Sequence, residues 1–212
     1  MCGIPGAGKS VFARLLLQNI NELLNDETLV AVVGLDGWHL TRAQLDAMPD
    51  SKLAHERRGI HWTFDAQGYV EFILKLRQET SSIVTAPSFD HAVKDPVPDA
   101  ISVYPHHRIV IIEGLYAFLD VDPWSKAAAL LDYRFFIRVG FEVAKSRLAK
   151  RHFVSGITQT LEDGTRRAEQ NDLPSEFAYA DPAQSLSFYT RWYLHNRKHA
   201  ETNANHRKRR RP

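Results

Sequence analysis

The sequence predicts an α/β domain with a parallel β-sheet covered by helices on both faces, and three observations indicate it. Short apolar segments alternate with amphipathic ones along most of the 212 residues, as in parallel sheets with crossover helices. Residues 3–10, GIPGAGKS, match the phosphate-loop pattern and lead into a segment of helical periodicity. Two apolar segments run into the acidic residues Asp36 and Glu113, each followed by glycine.

Periodicity and cap residues place the elements in chain order. Helices are predicted over residues 10–24, 41–48, 63–78 (with Thr63 or Asp65 as N-cap), 124–131, 141–153, 160–170 and 186–196. Strands are predicted over residues 28–36, 81–90, 107–114 and 133–139, with a proline-marked loop over 96–105 and another over 174–182.

Composition favours one globular domain over residues 1–200, with a small helical lid at about 145–172. The net charge of +2 depends on the final segment HRKRRRP, so nucleic acid is not expected as the main ligand. Residues 201–212 form a basic tail, expected to be disordered, for which nuclear localisation is the alternative role. With one cysteine and no bilayer-spanning segment, we expect a soluble cytoplasmic protein, with nucleus and mitochondria left open.

The phosphate loop predicts nucleotide binding. Its backbone amides from Gly6 to Lys9 are expected to hold phosphate oxygens at the positive end of the following helix. Lys9 is expected to reach the β- and γ-phosphates, and the Ser10 hydroxyl to bind Mg²⁺. The predicted ATP-binding residues are Gly3, Pro5, Gly6, Ala7, Gly8, Lys9, Ser10 and Val11. The alternative is a glycine-rich turn with an incidental lysine.

A phosphate loop normally follows a buried β-strand, and here only Met1 and Cys2 precede it. That strand lies in the interior of the sheet, so its absence would leave neighbouring backbone groups unpaired, at about 1–3 kcal/mol for each buried group. The expectation is that Met1 is a truncated start and that the catalytic residues stand on an incomplete scaffold.

Asp36 and Glu113 are expected to supply the reaction chemistry. Ligands of open parallel sheets gather at the carboxyl ends of strands, where both acids are predicted to lie. A carboxylate there can bind Mg²⁺ or take the proton of an acceptor hydroxyl during phosphoryl transfer. The alternative is that each acid caps the turn that follows it.

Six segments together resemble a known family. GIPGAGKS, GLDGWHL, GIHWTFDAQGY, APSFDHAVKDPVPDA, RIVIIEGLYAF and RLAKRHFVSG occur in the order seen in the uridine kinase, phosphoribulokinase and pantothenate kinase group of phosphate-loop kinases. The resemblance extends from Gly3 to about Asp172. Within this group, the chain resembles the fungal and bacterial kinase-like members most. It implies a nucleoside-kinase-like fold that uses ATP and Mg²⁺.

The resemblance also implies roles for individual residues. Asp36 matches the acid that orients or deprotonates the acceptor hydroxyl, and Glu113 matches the acid that serves Mg²⁺. Asp90 and His91 match positions that contact the acceptor. Arg147 and Arg151 match lid arginines that close on the ATP phosphates.

The lid arginines also follow from spacing. Arg147 and Arg151 are four residues apart and therefore share one helix face, where they could neutralise a transferring phosphoryl group. The alternative is a solvated basic face. His152 stands where the group often has an acid. Asn171 and Asp172 are expected either to lie near the adenine of ATP or only to end the preceding helix.

Residues 38–64 are predicted to form the acceptor pocket, because they combine aromatic and basic side chains with little helical periodicity. Arg57 and Arg58 indicate an acceptor that carries phosphate or carboxylate, and His39 is a further candidate contact. The alternative is a surface loop held to the core by its aromatic side chains, Trp62 and Phe64 above all.

The sequence therefore predicts an enzyme that transfers the γ-phosphoryl group of MgATP to a hydroxyl of a small metabolite, such as a nucleoside, a sugar or a vitamin-like compound. One alternative is an ATPase that acts with a protein partner, and another is a nucleotide-binding protein without turnover. A homodimer is left open, and no membrane partner is expected.

Overall fold

The computed structural model of the chain describes residues 1–79, 81–90 and 93–173. Its helices are α1 Lys9–Leu24, α2 Arg42–Asp46, α3 Ser51–Glu56, α4 Ala66–Gln78, α5 Trp124–Ala129, α6 Phe141–Val154 and α7 Leu161–Arg167. Its strands are β1 Val30–Gly34, β2 Val84–Asp90, β3 Asp95–Val103 and β4 Ile109–Glu113. Short 3₁₀ turns follow β1 and precede α4, and a π-helical turn, Ala168–Asp172, follows α7.

The centre of the fold is a parallel pair of strands. β1 pairs with β4 from Val30 opposite Ile109 to Gly34 opposite Glu113. Both strands therefore end at the same edge, where α/β sheets bind their ligands.

Met1 and Cys2 extend this sheet beyond β4. The Met1 ammonium group donates a hydrogen bond to the Ile112 carbonyl at 2.6 Å, and the Gly114 amide donates to the Met1 carbonyl at 3.1 Å. Cys2 then forms an isolated parallel bridge with Phe136. These two residues thus occupy the sheet position of the strand that precedes a phosphate loop.

The predicted strand over residues 133–139 is wrong in extent. The segment forms one β-bridge, in which Phe136 pairs with Cys2. The Cys2 amide donates to the Phe135 carbonyl at 2.8 Å, and the Ile137 amide donates to the Cys2 carbonyl at 2.8 Å. A ladder longer than one bridge requires more than one partner residue, and Cys2 is followed at once by the loop.

Helices cover both faces of the sheet. Because side chains alternate along a strand, Val30 and Ile111 pack with Met1 against α1. The opposite face packs against α4 and α5 in a larger core, within which Tyr69 and Trp124 are fully buried. The predicted α/β architecture with helices on both faces is confirmed.

The antiparallel hairpin of β2 and β3 is a correction to the sequence prediction, which assigned a loop to residues 96–105. Its pairing runs from Val84 opposite Val103 to Asp90 opposite Asp95, with a register shift between Ala86 and Ser88. Prolines within a strand are tolerated at bulges and edges. The prolines of this segment led the sequence analysis to a loop, whereas the register shift allows them within a strand.

Most helix boundaries agree with the predictions. Asp65, rather than Thr63, is the N-cap of α4 and accepts a hydrogen bond from the Gly68 amide at 2.9 Å. Helix α3, capped by Asp50, was not predicted. The predicted helix 160–170 ends as an α-helix at Arg167, and the π-helical turn continues the chain.

Two sequence predictions, the helix 186–196 and the basic tail, lie outside the described residues. Within the described part of the chain, no helix combines the length and apolar character required to cross a bilayer.

Candidate active site

The phosphate loop connects Cys2 to helix α1 and is held in a tight turn. The Ala7 amide donates to the Ile4 carbonyl at 3.0 Å. Gly6 and Gly8 have φ values of 77° and 95°, in the left-handed region that disfavours side chains. The motif glycines therefore serve backbone conformation here, as the sequence predicts for a phosphate loop.

Helix α1 begins at Lys9 with no side-chain cap, directly after this turn. The first amides of a helix have no partner within the helix, and they lie at the positive end of its dipole. The Lys9 ammonium group folds back over the loop and donates to the carbonyls of Gly3 at 2.7 Å and Ile4 at 3.3 Å. Amides and ammonium together form an anion site suited to phosphate.

The loop is packed against helix α6 as well as against the sheet. A methyl group added to Gly6 would lie 2.6 Å from the Ala144 carbonyl oxygen, and one added to Gly3 would lie 2.6 Å from the Ile137 carbonyl oxygen. Two of the three loop glycines are therefore required by close backbone approach. Of the other predicted loop residues, Ala7 is buried and Val11 is exposed.

Ser10 and Glu113 meet at the edge where the parallel strands end. The Ser10 hydroxyl donates to Glu113 Oε1 at 2.8 Å, and Glu113 is the last residue of β4, opposite Gly34 of β1. A hydroxyl and a carboxylate are hard oxygen ligands of the kind that Mg²⁺ prefers. The residues present therefore fit a magnesium ion beside the phosphate loop.

Asp36 lies in the 3₁₀ turn that follows β1, at the same edge of the sheet as Glu113, and its side chain is exposed. The Asp36 carbonyl accepts the His39 amide at 3.1 Å and is 2.8 Å from His39 Nδ1. Gly37 is in contact with β2, since an added methyl group would lie 2.1 Å from the Pro87 carbonyl oxygen. This turn directs an acidic side chain to solvent beside the nucleotide site.

Helix α6 brings Arg147 to the phosphate loop. The Arg147 guanidinium donates to the carbonyls of Gly6 at 3.2 Å and Ala7 at 3.5 Å. Arg151 is exposed one turn further along the same helix. Neither arginine is buried, so both side chains have room to reorient when phosphate binds.

Next to Arg151, the His152 side chain is buried and fixes α6 to the π-helical turn. His152 Nε2 is 2.8 Å from Asp172 Oδ2, and only 5% of the His152 side chain is exposed. Asp172 is thus engaged with α6, while its neighbour Asn171 is exposed.

The predicted acceptor residues differ in what surrounds them. The His39 ring makes tilted contacts with the rings of Phe64 and Phe89, with centroid separations of 4.0 Å and 4.8 Å, and Arg57 is exposed. Asp90 caps the β2–β3 turn, where its carboxylate accepts the Val93 amide at 3.2 Å. The Arg58 guanidinium donates hydrogen bonds to Leu40, Lys94 and Asp95. His91 lies outside the described residues.

Sequence reasoning missed Asp95, because it lies between the strand predicted over residues 81–90 and the loop predicted over 96–105 and had no assigned partner. Burial raises the pKa of Asp95, but hydrogen bonds from the Arg42 amide and from the Arg58 and Arg42 guanidinium groups outweigh it and hold this pKa below its ordinary value. Arg58 Nη2 donates to Asp95 Oδ1 at 3.0 Å. The Asp95 carboxylate, which lies opposite Asp90 in the hairpin, is therefore ionised and paired with Arg58.

The fold and the site define a phosphate-loop protein, in which the loop leads into helix α1 and Ser10 contacts Glu113 at the end of a parallel strand. The chain belongs to the phosphoribulokinase / uridine kinase family, whose sequence profile matches residues 1–155. The sequence-based assignment to this family is therefore confirmed.

Fungal proteins are among the similar sequences. The ATP-dependent kinase-like protein notR' of Aspergillus versicolor is 48% identical over 150 residues, which cover 69% of this chain and 85% of that protein. A Schizosaccharomyces pombe protein provisionally named a uridine kinase is 39% identical over 173 residues, covering 82% of this chain and 73% of that protein. The ATP-dependent kinase YFH7 of Saccharomyces cerevisiae is 34% identical over 190 residues, and the match spans 53% of its length.

Solved structures agree with these sequences. A protein of Silicibacter sp. TM1040, provisionally named a fructose transport system kinase, superposes with a TM-score of 0.72 at 28% identity, over 82% of this chain and 79% of that chain. The structure of YFH7 superposes with a TM-score of 0.65 at 31% identity, over 70% of this chain and 53% of that chain. The phosphate-loop kinase fold is thus shown by sequence and by structure.

Proposed function

We propose that this protein is a phosphotransferase that moves the γ-phosphoryl group of MgATP to a hydroxyl of a small metabolite. The observation that supports it most is the pairing of Ser10 with Glu113 at 2.8 Å, beside the phosphate loop and at the sheet edge that leads to Asp36. On this proposal, the residues that would bind nucleotide, metal and acceptor lie at one edge of the sheet. The names of the similar proteins favour nucleosides and sugars as acceptors.

The phosphate loop holds and orients the nucleotide. Backbone amides at the start of α1 bind phosphate oxygens, and Lys9 exchanges its loop carbonyl partners for the β- and γ-phosphates. Ser10 and Glu113 hold Mg²⁺, which when bound neutralises phosphate charge. The contribution of the chain is to fix the donor nucleotide with its γ-phosphate directed toward the ends of β1 and β4.

Asp36 acts on the acceptor. Its exposed carboxylate, positioned by the turn after β1, accepts a hydrogen bond from the acceptor hydroxyl and takes the proton as the oxygen attacks. Because little covalent chemistry is required of the protein in phosphoryl transfer, orienting this hydroxyl is the main task of the acceptor side.

Arg147 and Arg151 act on the transferring group. Arg147 already contacts the loop carbonyls of Gly6 and Ala7, so a short reorientation brings its guanidinium to a phosphate held there. An arginine on the developing charge stabilises the transition state, and α6, which packs against the loop, limits the access of water on that side.

The proposal is tested by measuring ATP consumption and phosphorylated products of the full chain with a panel of nucleosides, sugars and pantothenate. We expect one class of acceptor to stimulate ATP consumption and to gain a phosphate, detected by mass spectrometry. Asp36→Asn should lower transfer by about 10²–10⁴-fold while ATP binding stays nearly unchanged. Lys9→Ala should abolish both ATP binding and transfer.

The remaining outcomes separate the alternatives. ATP consumption that no acceptor stimulates would favour an ATPase, and ATP binding without consumption would favour a protein without turnover. Full activity of Asp36→Asn would show that another group serves the acceptor hydroxyl.

A further inference from the structure

Arg58 lies at the centre of a hydrogen-bonded group that is separate from the nucleotide site. Its guanidinium donates to the Leu40 carbonyl at 2.7 Å, the Lys94 carbonyl at 2.5 Å and Asp95 Oδ1 at 3.0 Å. We refer to Arg58, Leu40, Lys94 and Asp95 as the Arg58 cluster. One side chain thus connects three separate segments of the chain.

These segments form the acceptor side of the proposed site. Leu40 follows the 3₁₀ turn that contains Asp36, Asp95 is the first residue of strand β3 of the hairpin, and Lys94 directly precedes it. Arg58 itself follows helix α3. The Arg58 cluster therefore joins the β2–β3 hairpin to the segment that carries the proposed catalytic acid.

The Arg58 side chain is enclosed by these contacts. Only 16% of it is exposed, and its Nε–H group is buried with no hydrogen-bond acceptor among the described residues. A guanidinium in this position is expensive to bury unless its other donors are satisfied. Its orientation is accordingly determined by the protein.

The charge of Arg58 is already paired. Asp95 accepts from Arg58 and also from the Arg42 amide at 2.8 Å, so the guanidinium faces an ionised carboxylate. Three of its five N–H groups donate to Asp95 and two backbone carbonyls, and the Nε–H group is buried, so an anionic acceptor would compete with these partners. The paired guanidinium is therefore better suited to hold the site together than to bind phosphate or carboxylate on an acceptor.

Aromatic contacts continue from Arg58 to Asp36. The Arg58 guanidinium lies 5.4 Å from the centroid of the Phe89 ring. The Phe89 ring contacts the His39 ring at a centroid separation of 4.8 Å and a tilt of 49°, and His39 Nδ1 is 2.8 Å from the Asp36 carbonyl. A displacement of Arg58 therefore reaches the turn that orients Asp36.

We propose that Arg58 is a positioning residue, which holds the β2–β3 hairpin at a fixed distance from the Asp36 turn and so sets the acceptor side of the site without touching the acceptor. The proposal rests on the proposed function. It assigns a new role to Arg58, which the sequence predicted to be an acceptor contact, and it adds Asp95 as the partner on which Arg58 depends.

Hydrogen exchange of the full chain tests the structural part of this proposal without any acceptor. In Arg58→Lys and Asp95→Asn, we expect amide exchange to rise about tenfold on both sides of the cluster, at residues 39–40 and 88–90, but not in α1. Lysine keeps the charge but cannot bridge the same three acceptors. Arg77→Gln is the matched control, because Arg77 pairs bidentately with Asp132 at 2.6 and 3.1 Å in an exposed position.

Each outcome of the exchange experiment has a meaning. An increase on both sides in the two variants, and on neither side in Arg77→Gln, supports the proposal. An increase confined to one segment, or wild-type exchange in Arg58→Lys, overturns it, since the cluster would then not link the hairpin to the Asp36 turn. Asp95→Asn keeps the size of the side chain while it removes the charge and one acceptor oxygen, and it decides the question where Arg58→Lys does not fold.

Kinetics test the functional part, with the acceptor found in the panel as the probe. In both variants the KM for the acceptor should rise on the order of tenfold, while the KM for ATP stays within about a factor of two. A tenfold rise in the KM for ATP instead would overturn the assignment to the acceptor side. If the wild-type chain phosphorylates no acceptor, the proposed function fails, and the exchange experiment still decides whether Arg58 links the two segments.

Discussion

Replacing Gly6 by alanine should destabilise the protein by two separable effects. Gly6 has a φ of 77°, and a methyl group on it would lie 2.6 Å from the Ala144 carbonyl oxygen of helix α6. The first effect is backbone strain in the left-handed region, and the second is a steric clash with backbone that cannot rotate away. Gly156 provides a matched control, because it has a φ of 69° and open space around its added methyl group.

The magnitudes follow from these geometries. A left-handed alanine costs about 1–2 kcal/mol, of which about 0.4–1 kcal/mol is offset because alanine restricts the unfolded chain. Gly156→Ala should therefore lower the free energy of unfolding by about 1 kcal/mol. Gly6→Ala adds an overpacking cost of about 1–3 kcal/mol, so its total should be about 2–4 kcal/mol, or a fall in Tm of about 5–15 °C.

Urea unfolding and thermal melts of the two variants measure this difference, and isothermal titration with MgATP measures its effect on the loop. Gly6→Ala should also bind MgATP more weakly, because α6 or the loop must shift to accommodate the methyl group. Gly156→Ala should bind it like the wild type. Equal unfolding free energies for the two variants would refute the reasoning, since the contact between the loop and α6 would then be able to yield without cost.

Two further predictions concern buried polar groups. Tyr69→Phe should lower the free energy of unfolding by about 1–3 kcal/mol in urea titrations, because the buried Ala117 carbonyl loses the hydroxyl that donates to it at 3.1 Å; an unchanged midpoint would show that another donor replaces it. In the 212-residue chain prepared with Met1 as its first residue, burial lowers the pKa of the Met1 ammonium group from its ordinary 8.0, so the unfolded chain binds more protons between the lowered pKa and pH 8. Stability should therefore rise with pH through that window. N-terminal acetylation should remove this part of the pH dependence, and an identical pH profile after acetylation would contradict the assignment.

The sequence predicted the parallel pair and its flanking helices because their signals are local. An apolar β-branched segment such as 109–113 has few alternatives to a buried strand, and the helical spacing in α1 and α4 was readable without partners. Strand β3 was hidden because its prolines are acceptable only beside the register shift that β2 provides. Pairing between strands is a property of two segments, so one segment alone does not reveal it.

The candidate site divides in the same way. The sequence alone determined the phosphate loop, with Lys9 and Ser10, and the two acids that follow apolar strands, because motif spacing and strand ends are written in consecutive residues. Only the tertiary structure decided that Ser10 and Glu113, which are 103 positions apart, form a hydrogen bond, and that Arg147 lies on the loop. It also decided that Arg58, which stands beside exposed Arg57 in the sequence, is enclosed by Leu40, Lys94 and Asp95. Which side chains become hydrogen-bond partners depends on the surfaces that the fold brings together. Composition and sequence spacing do not reveal the distance between residues in space.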